Sequence, residues 1–122
     1  MRPFAVNKSN SLKSTSEIDL VFKGGSKLSS KLISLYYVRS EKENHLRIAF
    51  SVGKKTHALA TTRNKLKRLM KESLRLNGNK YLNYNLPYNL IFIYFSSKEE
   101  SYKYIEEDMK LLLLSFKNKK LS

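Results

Sequence analysis

The stretch GKKTHALATTRNKLKRLMKESLRL, residues 53–76, decides how this chain is read. Between Lys54 and Arg75 it carries eight basic residues and one acid, Glu72. At about 100° per residue, with Arg63 at zero, Leu66, Leu69, Met70 and Leu74 fall on an arc from about 240° round to 20°. Arg63, Asn64, Lys67, Arg68, Lys71 and Arg75 fill the neighbouring sector, from 0° to about 140°. This pattern predicts a helix with one stripe packed on a core and an adjacent stripe that is wet and positive. The cations at 63, 67, 71 and 75 repel one another by a few tenths of a kcal/mol per pair, so an external anion would relieve the row. Lys54 and Lys55 lie just before the helix, where unsatisfied backbone N–H groups also favour phosphate.

The rest of the chain strengthens that reading. Its 122 residues carry 24 Lys and Arg against 10 Asp and Glu, a net charge of +14. Residues 1–40 contribute 7 basic and 2 acidic side chains (+5), residues 41–80 contribute 11 and 3 (+8), and residues 81–122 contribute 6 and 5 (+1). The middle third is therefore the expected polyanion site. A membrane surface also attracts cations, but binding there calls for a large free apolar face. No apolar run approaches the roughly 20 residues that span a bilayer, and the first residues do not read as a signal peptide. The chain has no cysteine, which removes disulfides and thiolate metal sites. A cytoplasmic protein is expected. At 41% hydrophobic residues, the chain can build one modest core in a single domain, 1–122.

Outward from the basic segment, periodicity places the other elements. Ser14 and Glu17 fit a capping box for a helix over residues 15–23, stopped by Gly24-Gly25. Residues 32–38 are rich in β-branched and aromatic side chains and predict a strand. Residues 46–52 alternate, with Leu46, Ile48, Phe50 and Val52 against Arg47, Ala49 and Ser51. Residues 41–44 supply a polar turn between these strands. Residues 90–95 are almost wholly apolar, which predicts a strand buried on both faces. A last helix over residues 101–116 carries Ile105, Met109, Leu112 and Phe116 at three- and four-residue steps. Its acids come early and its lysines late, matching the helix dipole. Residues 1–11 read as a flexible arm and residues 117–122 as a frayed tail.

Single-stranded bases stack on aromatic rings, and Phe22 and Tyr36 are the aromatics best placed to be exposed. Nothing supports catalysis by the chain itself. His45 and His57 have no evident acid–base partner in the sequence. Glu99, Glu100, Glu106, Glu107 and Asp108 sit among Lys103 and Lys110 and predict a surface ion-pair face rather than a metal site. Gly53-Lys54-Lys55-Thr56 lacks the upstream glycine and the Lys-Ser/Thr adjacency of a P-loop.

The run Arg63-Asn64-Lys65-Leu66-Lys67-Arg68-Leu69-Met70-Lys71-Glu72 resembles the signature helix of the protein subunit of bacterial ribonuclease P, roughly R-N-R-x-K-R-x-x-R-E. Ser51-Val52-Gly53-Lys54-Lys55 looks like that family's strand end and basic loop. Leu12-Lys13, Val21-Phe22-Lys23 and Gly25 match its first helix, and Leu35-Tyr36 its first clear strand. The motifs cover residues 11–76; the last strand and helix match by order. The chain departs from the pattern at Lys65 and Lys71, where Arg is usual and a planar fork is lost, and at Ile18, where an aromatic is common.

The resemblance implies an α+β domain ordered α-β-β-β-α-β-α, with about four strands, a left-handed βαβ crossover and helices packed on the sheet. The fourth strand would lie near residues 27–30. It further implies a protein component that works 1:1 with a catalytic RNA subunit, in which the active centre resides. Together they would remove the 5′ leader of precursor tRNA with Mg²⁺ held mainly by RNA. Carried over by position, Lys54, Lys55, Arg63, Asn64, Lys65, Lys67, Arg68, Lys71 and Arg75 become the RNA-binding set. Ile18, Phe22, Tyr36 and Ser51 become the leader cleft. A structural, ribosomal-type RNA-binding module is the alternative, and a small nuclease with its own active site is a second.

Overall fold

The computed structural model describes residues 4, 11, 12, 15–40 and 45–121. Ser14, the expected helix cap, and the expected turn at 41–44 lie outside the described residues. The elements run α1 (Thr15–Gly24), β1 (Ser26–Ser29), β2 (Ile33–Arg39), β3 (Arg47–Val52), α2 (Ala60–Asn77), a 3₁₀ turn (Gly78–Lys80), β4 (Tyr88–Tyr94) and α3 (Tyr102–Leu121). They form one mixed sheet in the order β1-β2-β4-β3. β1 and β2 are antiparallel, β2 and β4 are antiparallel, and β3 runs parallel to β4 through the α2 crossover. The order α-β-β-β-α-β-α and the four strands agree with the expectation.

The central place of β4 follows from its sequence. Leu90, Phe92 and Tyr94 point to one face and Ile91 and Ile93 to the other, and each set joins a different hydrophobic cluster. The larger cluster lies under α2 and α3. Leu66, Met70 and Leu74 of α2 meet Ile105, Met109, Leu112 and Phe116 of α3 over Ile33, Leu35, Ile48 and Phe92. The apolar arc read from periodicity is thus the buried one. Phe50 stacks on Phe92 with centroids 5.6 Å apart, and Phe116 takes Tyr37 and Tyr88 edge-on. Among the described residues, the opposite face of the sheet carries one helix, α1, with Leu12 beside it.

Several expectations change. β1 is a short strand with three of its four residues exposed, so it has no apolar alternation to betray it. Gly25 ends α1 by close approach rather than by a left-handed turn. A Cβ there would lie 2.4 Å from the Val21 carbonyl oxygen and 2.6 Å from that of Tyr37, and no described glycine has positive φ. The Glu17 carboxylate accepts from Arg47 of β3 at 2.5 Å and pins α1 to the sheet. Within residues 1–11, the described Phe4 is 1% exposed, stacks on Tyr84 at 4.5 Å and donates its N–H to the Arg75 carbonyl. Ser11 bridges to Ile48. α3 runs Tyr102–Leu121.

The acidic cluster is also reassigned. Asp108 is 4% exposed, and its carboxylate accepts from Ser30 Oγ (2.8 Å), Leu32 N (2.8 Å) and Ile33 N (3.1 Å). It ties α3 to the turn between β1 and β2, because two buried N–H groups there would otherwise lack acceptors. Glu106 takes hydrogen bonds from Asn77 of α2 and Tyr102, and these, with the charge of Lys110, hold its carboxyl below the usual range against the opposing effect of burial. Asp108 and Glu106 are structural joints, and Glu99 makes a surface ion pair with Lys65 of the kind expected of the group. Among the described residues no group of three or more His, Cys, Asp or Glu could hold a metal ion.

Candidate nucleic-acid interface

The basic loop and α2 are held by contacts that are distant in sequence. His57 N–H donates to the Gly53 carbonyl (3.0 Å), which closes the loop so that Lys54 and Lys55 point outward, both exposed. The His57 ring is buried against Tyr94, its Nε2 2.8 Å from the Ser96 carbonyl. That contact requires Nε2 to carry the proton, since a carbonyl only accepts. His57 is therefore the anchor of the loop, a role sequence reading missed; its partner lies 39 residues away.

α2 begins at Leu59 without a side-chain cap. Arg63 ties the helix to the loop before it by donating to the carbonyls of His57 (3.0 Å) and Ala58 (2.7 Å). The nine nominated side chains thus divide by what they touch. Arg63 braces the loop. Lys65 pairs with Glu99 at 2.9 Å, and Arg75 grips Glu72 through Nε (2.9 Å) and a terminal nitrogen (2.6 Å). The hydrogen bond from Arg75 lowers the Glu72 carboxyl, and the guanidinium is raised in turn. Among the described residues Lys54, Lys55, Lys67, Arg68 and Lys71 form no ion pair. Asn64 is exposed beside them. The repulsive row at 63, 67, 71 and 75 is therefore relieved from within at its ends and open in its middle.

Lys67 and Lys71 also reach the edge of the sheet. With Ser11, Leu12, Ile48, Ala49 and Phe50 they line a cavity of about 210 Å³ along β3, the outermost strand. Ala49 belongs to the face that α1 half covers. The cationic stripe of α2 and that open face are thus contiguous.

On the open face Val21 is buried against Ile91, with Ile18, Tyr36, Val38, Ala49 and Ile93 around them. Phe22 is 43% exposed and meets Tyr36 edge-on, centroids 5.0 Å apart. Ile18, Phe22 and Tyr36 are thereby brought together. Ser51 lies on the same face but on β3, two strand spacings or about 10 Å from β2, in the row of Ser34 rather than that of Tyr36.

These features define a small basic α+β domain with one closed sheet face, one open face and a cationic crossover helix at its edge. Residues 6–117 match the family model described as Ribonuclease P. The Ribonuclease P protein component of Clostridium botulinum (strain 657 / Type Ba4) is 38% identical over 107 residues, 87% of this chain and 93% of that protein. The corresponding protein of Clostridioides difficile (strain 630) is 33% identical over 108 residues, 88% and 91% of the two chains. The solved RNase P protein of Staphylococcus aureus superposes with a TM-score of 0.74 at 22% identity, covering 87% of this chain and 94% of that one. The RNase P protein of Thermotoga maritima gives 0.69 at 21%, with 84% and 93% covered. The chain belongs to the ribonuclease P protein family, of the bacterial type.

Proposed function

We propose that this chain binds the catalytic RNA of ribonuclease P through Lys54, Lys55, Asn64, Lys67, Arg68 and Lys71. The single-stranded 5′ leader of precursor tRNA then crosses the open sheet face past Ile18, Phe22, Tyr36 and Ser51. One protein serves one RNA, in the cytoplasm. The chain provides no catalytic group; bond cleavage and the Mg²⁺ it needs belong to the RNA. The protein lowers the repulsion between RNA and substrate phosphates and holds the leader in place. Arg63, Lys65 and Arg75 keep supporting roles, since each is already engaged within the protein.

The observation that carries this reading is the continuity of the cationic stripe with the open face at the β3 edge. Cations without protein partners release counterions from RNA when they meet phosphates. With five such cations, log K should fall with log[salt] at a slope of about −3.5 to −4.5.

The test is precursor-tRNA cleavage at low Mg²⁺ by the ribonuclease P RNA from the same source, with and without the protein. Restored cleavage at the correct 5′ position, lost in Lys67→Ala/Arg68→Ala/Lys71→Ala, supports the proposal. Binding of the RNA without stimulation would instead leave a structural RNA-binding module.

A further inference from the structure

Among the described residues, two sheet residues whose side chains share the open face carry positive charge, and they are not equivalent. Tyr36, Ile91 and Ala49 lie on that face, and the strand register aligns them in one row with Lys27 of β1. The next row toward the opposite end of the strands aligns Val38, Asn89 and Arg47. Arg47 is spent within the fold: its guanidinium pairs with Glu17 and donates to the Ser11 carbonyl. Lys27 is exposed, and among the described residues it makes no ion pair. Its Nζ lies over the Tyr36 ring, 5.4 Å from the centroid. Tyr36 in turn receives Phe22 edge-on, and Phe22 is the more exposed of the two.

We propose that Lys27, on the outer strand β1, is a further leader-positioning residue, held by the Tyr36 ring to take a leader phosphate as the adjoining base stacks on Phe22. The inference rests on the leader reading above. A cation over the ring face occupies one side of Tyr36, so the exposed face of Phe22 is the freer stacking platform. A stacked base leaves its phosphate at the rim of the platform, and Lys27 is the cation waiting there. The ring's quadrupole limits the wandering of a flexible side chain, so less order has to be imposed when phosphate arrives. The leader would then cross the sheet from the α2 edge at β3 to the far edge at β1, three strand spacings or about 14 Å.

The experiment uses the holoenzyme, reconstituted with its RNA, and precursor tRNAs bearing either a long leader or one trimmed to a single nucleotide. Lys27→Ala should weaken long-leader binding by about five- to tenfold and lower the salt slope by about 0.7, the single-strand value for one phosphate. Lys27→Glu should weaken it further, Lys27→Arg should restore it, and the trimmed substrate should not respond to any of them. Thermal unfolding of the free protein should be unchanged, because the side chain is exposed. Equal effects on both substrates, or none on the long leader while Phe22→Ala still discriminates them, would overturn the role of Lys27 alone. If Phe22→Ala is also silent and wild type binds both substrates alike, the leader reading itself fails and Lys27 falls with it.

Discussion

The two faces of the sheet share a central strand but divide the work. Under α2 and α3, Phe92, Leu90 and Tyr94 are sealed in the main core, and the polar groups at its margin are matched by Asp108 and Glu106. Across the same strand, the cover over Ile91 and Ile93 among the described residues is the single helix α1 with Leu12, and Phe22 and Tyr36 keep part of their surface wet. The difference teaches where stability and recognition reside. A face covered by two helices can bury enough apolar area to hold the fold. A face covered by one leaves apolar and aromatic surface beside charge, which suits a flexible, charged strand with flat bases.

Substitution tests that division directly. Phe92→Ala should cost about 3–5 kcal/mol of unfolding free energy, measured by urea titration. Phe22→Ala should cost clearly less, about 1 kcal/mol, because its ring is 43% exposed, while weakening leader binding. Equal losses of stability at the two positions would erase the distinction between the faces. Asp108→Ala should come next, at about 2–3 kcal/mol, because Leu32 and Ile33 lose the acceptor for buried N–H groups. RNA affinity of the folded variant should be unchanged.

Within the cationic stripe the same contrast recurs on a smaller scale. Arg63→Ala should cost about 1 kcal/mol, since it removes two bonds that close the loop before α2. Lys67→Ala/Lys71→Ala should leave stability within about 0.5 kcal/mol of wild type. That pair should instead reduce the salt slope of RNA binding by about 1.4–1.8. A full slope in the double variant would remove the middle of the stripe from the interface.

The smallest effect concerns pH. The Glu106 carboxyl is lowered in the folded protein, chiefly by the hydrogen bond from Asn77. Its stabilising contribution is therefore present above the ordinary value of 4.5 and lost as pH falls through the lowered value. Urea midpoints measured from pH 6 to pH 3 should fall more steeply for wild type than for Glu106→Gln. Parallel profiles would show that this joint between α2 and α3 does not depend on the charge.

The parts of the fold legible in the sequence are those set by neighbours along the chain. The buried arc of α2, the alternation of β3 and the apolar run of β4 each repeat with the period of their own backbone, so they can be read without knowing their partners. β1 has no such period, and only family resemblance implied it. Asp108 looked like one acid among five because its acceptor role is set by groups 75–78 residues away. Glu17 reads locally as part of a helix cap, and its partnership with a guanidinium 30 residues on is not visible in the local sequence. Phe4 sat in an arm with no periodicity, yet the space beside Tyr84 and Gly78 is shaped to take its ring.

By itself the sequence determined the sign and location of the charge and which stripe of α2 is buried, together with the central strand and the family. Charge, composition and helical or strand period are local properties. Only the tertiary structure decided which cations are spent and which are available. Arg63, Lys65, Arg75 and Arg47 found carbonyls or carboxylates on other elements or one turn away. Among the described residues Lys67, Arg68 and Lys71 form no ion pair, and Lys27 found an aromatic ring. A cation's availability depends on what the fold brings within about 4 Å of it, and proximity in space is what a linear order of residues does not contain.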